Sequence, residues 1–117
     1  MNKSELGFLG SLRPFRGELY EENFFEVMEC LKILKDELVK PAIEQEIVSD
    51  IVSIIHYTRV WVSPYGMLGS NHLLTDEQTR HLIVWVDIIE ACFMSLLEDD
   101  PETAFMDYED YRNGEYF

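Results

Sequence analysis

The sequence predicts an all-α protein, an antiparallel three-helix bundle, with a short fourth helix at the C-terminus and an irregular N-terminal strap as additions to it. Three observations carry that prediction. Apolar residues recur with helical spacing over three long stretches, Tyr20–Val39, Pro41–Val62 and Asp76–Glu98. The stretches are separated by short segments of turn-forming residues, which favours antiparallel neighbours. No stretch keeps the two-residue alternation of a half-buried strand. With 117 residues, 47% of them apolar, the chain has the size and the apolar content of one domain, and it needs neither disulfide nor metal to build a core.

Residues 1–20 carry Gly7, Gly10, Pro14 and Gly17, which break any long period, while Phe8, Leu9, Leu12 and Phe15 call for burial. An irregular strap across the bundle satisfies both. The first helix is expected from Tyr20 to Val39, with Asn23 and Glu26 at the spacing of a capping pair and Pro41 as its stop. Phe24, Met28, Leu31, Leu34 and Leu38 form its apolar stripe, opposite Glu26, Glu29, Lys32, Lys35 and Asp36.

The second helix opens on Pro41, a residue suited to the first helical position. Its stripe of Ile43, Ile47, Ile51, Ile54, Thr58 and Trp61 is widened by Val48, Val52 and Ile55, a breadth that predicts a central helix. The β-branched run Ile47–Ile55 would also suit a strand. Adjacent apolar pairs at Ile47-Val48, Ile51-Val52 and Ile54-Ile55 defeat alternation, however, and Asp50 and Ser53 fall on the polar side of a helix.

Between Arg59 and Gln78 lies the densest turn chemistry, at Ser63-Pro64-Tyr65-Gly66 and Gly69-Ser70-Asn71. Thr75 and Gln78 then have the spacing of a capping box, and Asp76 and Glu77 complement the positive end of the following helix. That third helix should bury Leu82, Trp85, Val86, Ile89, Cys92, Phe93 and Leu96 and end before Pro101. Residues 99–117 form an acidic, aromatic tail. Within it Phe105, Tyr108 and Tyr111 are spaced three apart, so a short helix near Glu102–Tyr111 can dock its rings and leave its carboxylates outward; the alternative is a segment ordered only by a basic partner. Beyond Asn113-Gly114 a frayed end is expected.

The net charge of −14 is unevenly spread: six basic against eight acidic residues in 1–40, two against seven in 41–97, and one against eight in 98–117. Such a field repels nucleic acid and anionic membranes and speeds encounter with a basic protein. Gly7–Phe15 is too short and too interrupted for a signal segment, and Leu82–Leu97 falls short of a membrane span and carries Asp87 and Glu90. Cys30 and Cys92 lie in apolar helical patterns, as buried reduced thiols do, so a cytoplasmic setting is expected.

The motifs of chemistry are missing. His56, His72 and His81 form no zinc pair on one helix face, and no nucleophile elbow, phosphate-binding loop or dinucleotide fingerprint occurs, so no cofactor and no catalytic residue is predicted. Arg59 and Arg80 are the only bases in 41–97 and read as structural, pairing with Asp87, Glu77 or Glu44, or, for Arg59, capping the end of the second helix. Among the carboxylates, Asp87 and Glu90 stand out because they interrupt the apolar pattern of the third helix on one face.

This profile resembles, in size, charge and helical class, the small acidic bacterial immunity and inhibitor proteins that occlude a basic toxin. The resemblance implies a protein-binding role and a basic partner such as a nuclease. The expected contact residues are Asp87, Glu90, Asp99, Asp100, Asp107, Tyr108, Glu109, Asp110 and Tyr111, joined by Tyr65 and Met67 on the central turn. A self-associating helical assembly protein is the second reading; of the two expected states, monomer or homodimer, a tight dimer favours it and a monomer favours the inhibitor.

Overall fold

The computed structural model describes residues 3–12, 15–37, 45–63, 66, 68 and 72–117, the side chains of 3–6, 37 and 45 excepted. Its helices are α1 (Lys3–Gly10), α2 (Glu21–Glu37), α3 (Gln45–Val62), α4 (Asp76–Leu97), α5 (Pro101–Ala104) and α6 (Met106–Arg112). Among the described residues there is no strand beyond an isolated bridge between Leu12 and Phe15. The protein is all-α. Pro41, expected to open the second helix, Glu44, expected to pair with an arginine, and the stripe residues Leu38 and Ile43 lie outside the described residues.

The N-terminal segment departs from expectation, because Lys3–Gly10 is a helix and not an irregular strap. It packs against both α2 and α3. The glycine that reads as a breaker is a crossing point: a Cβ on Gly7 would stand 3.1 Å from Asn23 Oδ1, while Asn23 Nδ2 donates to the Gly7 carbonyl at 3.0 Å. Asn23 therefore lies inside α2 and ties it to α1 instead of capping it. Phe8 and Leu12, one helical turn apart, are both buried.

α2 buries Phe24, Met28, Leu31 and Leu34 as the stripe predicted, with Val27 beside them. α4 starts where the capping box places it: Thr75 Oγ1 accepts from the Gln78 amide at 3.1 Å, and Gln78 Oε1 accepts from the Thr75 amide at 3.0 Å. Its seven predicted core residues are all buried, together with Ile88. Since α4 packs against α2, α3 and α6, it is the central helix.

That position had been expected for the second long helix, now α3, and the correction has a physical basis. Ile51, Ile54 and Thr58 are buried as predicted, but Val52 is 48% exposed, and Tyr57 and Val60 are also open to solvent. The breadth of the apolar stripe on α3 exceeds what the fold covers. Asp50, assigned to the polar side, is instead buried.

An aromatic cluster joins α2, α4 and α6. The Phe24 ring stacks on Trp85 at 5.5 Å and meets Tyr108 and Tyr111 edge-on at 5.7 and 5.2 Å. No described helix is long and apolar enough to cross a membrane.

Candidate partner-binding face

The tail is docked. Tyr108 and Tyr111 are buried, Phe105 is half-buried, and Asp107 and Glu109 point to solvent. Ring spacing of three residues brings these aromatics to one side of α6, where they complete the cluster on Phe24 and Trp85. Tyr108 and Tyr111 therefore drop out as contact residues, because rings that fill the core have no surface to offer a partner. The end of the chain is folded back as well, and not frayed: the Phe117 ring stacks on His81 at 3.8 Å with 4° between planes, and Arg80 lies 5.4 Å from the Phe117 ring centre.

The carboxylates divide by role. Asp99 and Asp100 build the turn that ends α4: the Asp99 amide donates to Leu96 O at 3.2 Å and the Asp100 amide to Ser95 O at 2.9 Å, with Asp99 in the left-handed region at φ 59°. Asp100 then caps α5, its Oδ1 accepting from the Thr103 amide at 3.4 Å. Both are exposed, yet each has an architectural use that requires no partner. Glu109 lines a separate hollow with Lys32, Tyr108 and Arg112.

Asp87, Asp107 and Asp110 all act on the charge of a residue absent from the predicted contact set, Tyr116. Its phenol is held above the ordinary tyrosine range, first by partial burial and then by the negative field of Asp107, Asp110, Asp87 and Glu115. Cations near this end are engaged by rings, Arg112 over Phe25 and Tyr108, Lys32 over Tyr108.

On the other flank of α4, Arg59 bridges Asp87 Oδ1 at 2.9 Å and Glu90 Oε1 at 2.8 Å. One guanidinium nitrogen serves both carboxylates, so the trio keeps a net negative charge. The bridge spans a groove between α3 and α4. One half, of about 420 Å³, is lined by Thr58, Val62, Leu82, Ile83 and Val86; the other, of about 350 Å³, by Val52, Ile55, Val60, Phe93 and Met94. Arg59 borders both. These apolar groove residues were missed because an amphipathic pattern alone does not say which part of a wide stripe the fold leaves uncovered.

Tyr65 and Met67 lie outside the described residues. Among the described residues, no group of three or more His, Cys, Asp or Glu side chains is placed to hold a metal ion. His81 Nδ1 contacts the Glu77 carbonyl at 2.9 Å, a local helix contact. No protein-family model, curated protein or solved structure matches the chain.

Proposed function

We propose that this chain is an acidic protein-binding module without catalytic activity of its own, an inhibitor or immunity protein that occludes a basic partner such as a toxin nuclease. The observation that carries the reading is the docking of α6 on Phe24 through Tyr108 and Tyr111, which fixes Asp107 and Glu109 at the surface of a chain of net charge −14. Charge of one sign, gathered on a docked and rigid helix, accelerates encounter with a basic protein and aligns it on arrival. Nucleic acid and membrane are not among the proposed partners. The scaffold beneath is read as an antiparallel bundle of the three long helices, widened by α1 and α6. Two free thiols, Cys30 and Cys92, support a reducing setting, and the bacterial cytoplasm is the one we propose.

Affinity capture from the native host, at low and at high salt, tests this with a paired control. The intact protein should retain a basic protein at low salt and release it at high salt, and the variant D87N/D107N/D110N should retain little of it at either. Equal retention by the variant would overturn the assignment of the face. The second reading, self-association, draws on the exposed apolar residues of α3 and α4. Light scattering separates the two: a tight dimer favours assembly, a monomer favours the inhibitor.

A further inference from the structure

We infer that the groove between α3 and α4 is a seat for one amphipathic, basic helix of the partner, its apolar side in the groove and its cationic edge against Asp87 and Glu90. The inference rests on the acidic-module reading and deepens it. Val52, Val60, Ile83 and Met94 are each exposed by 44–48% and line the two halves of the groove. No demand of the fold explains apolar side chains at these positions, since the core is complete without them.

The geometry fits a helix. Ile83 and Met94 lie on one side of α4, and at 1.5 Å per residue they are separated by about 16 Å, or three turns. A partner helix with apolar anchors at i, i+4, i+7 and i+11 spans the same distance. The Arg59 bridge crosses the middle, so the groove has two basins and a polar saddle.

Charge selects the occupant. Asp87 and Glu90 share one nitrogen of Arg59 at the middle of the groove, and Glu90 lines one of its halves, so this edge keeps a net negative charge. A helix in the groove therefore runs beside the acidic wall of Asp87 and Glu90, which calls for Lys or Arg along that edge. A second copy of this chain would bring a like wall and a net charge of −14 of its own, so self-docking is opposed by the same field.

The test uses a synthetic helical peptide of about 15 residues, with Leu at the four anchor positions and Lys along one edge, and a counterpart with Glu in place of Lys. Fluorescence anisotropy should show the Lys peptide bound by the intact protein and the Glu peptide not. I83N in one basin, and V52N/V60N/M94N in the other, should each weaken binding about tenfold or more, with the helical circular dichroism unchanged because all four residues are half in solvent. D107N/D110N should weaken binding chiefly at low salt. If the Lys peptide binds but ignores both groove variants, the groove inference is wrong and the acidic reading stands. If neither the peptide nor a basic host protein is retained, the acidic reading fails with it. A dimer in light scattering that V52N/V60N/M94N dissociates would assign the groove to a second copy and overturn the inference.

Discussion

The indole N–H of Trp85, in the middle of α4, donates to the hydroxyl of Tyr111 on α6 at 2.8 Å, inside the aromatic cluster. The same hydroxyl donates to Glu21 Oε2 at 2.6 Å, at the start of α2. One phenolic oxygen thus ties three helices whose rings are already in contact, and it satisfies a buried indole donor that has no access to water. The acidic face depends on this tie, because α6 carries Asp107 and Asp110.

Tyr111→Phe keeps the ring and removes the tie. The Trp85 N–H is then left buried without an acceptor, a loss of about 1–3 kcal/mol. Urea unfolding should show a lower midpoint with an unchanged slope, since the surface exposed on unfolding is the same. A loss below about 0.5 kcal/mol would mean that water replaces the hydroxyl.

The same residue sets an alkaline limit to stability. Burial, followed by the hydrogen bond to Glu21, pushes the Tyr111 phenol up to about 12, and burial pushes the Cys92 thiol up to about 12. Both groups hold their protons in the folded state where the unfolded chain, with ordinary values of 9.0 for the thiol and 10.0 for the phenol, has lost them. Their contribution is whole below pH 9 and declines as pH rises towards about 12. Denaturation midpoints measured from neutral to strongly alkaline pH should therefore fall, and Tyr111→Phe should flatten that fall. A profile with the same steepness in the variant would remove Tyr111 from the account.

Two helix ends in this chain use the same turn with different residues. At the end of α6 the Gly114 amide donates to Tyr111 O at 3.0 Å and the Glu115 amide to Asp110 O at 3.0 Å, with Gly114 at φ 82°. At the end of α4 the left-handed position is held by Asp99, which has a Cβ to accommodate. Asp99→Gly should raise stability by about 0.5–1 kcal/mol, and Gly114→Ala should lower it by about 1 kcal/mol. In thermal unfolding these correspond to shifts of opposite sign, about 2–5 °C each. Equal signs would contradict the left-handed geometry at one of the two positions.

How much of this was legible in the sequence follows from which interactions are local. The start of α4 was legible because Thr75 and Gln78 satisfy each other's backbone within four residues, and its buried face because a 3.6-residue period is a property of one helix. The docking of α6 was readable for the same reason, from rings three apart. What escaped depends on partners distant in sequence. Gly7 reads as a breaker until Asn23 is seen against it, and α3 reads as central until α4 is seen to take that place. Tyr108 and Tyr111 were expected at an interface and serve the core, since an amphipathic aromatic suits either and only packing decides.

A buried hydroxyl beneath the groove gives a prediction on stability alone. Thr58 is 1% exposed, and among the described residues its Oγ1 is the one buried side-chain oxygen or nitrogen without a hydrogen-bond partner. Taking a hydroxyl out of water with no acceptor or donor in return is unfavourable by about 1–3 kcal/mol, and valine offers nearly the same shape with a methyl in its place. Helix propensity separates threonine from valine by little. Thr58→Val should therefore raise the unfolding free energy by about 1 kcal/mol, read as a higher urea midpoint at constant slope. A destabilised Thr58→Val would show that the hydroxyl bonds to a group in the folded protein, and the groove floor would then have to be redrawn around that bond.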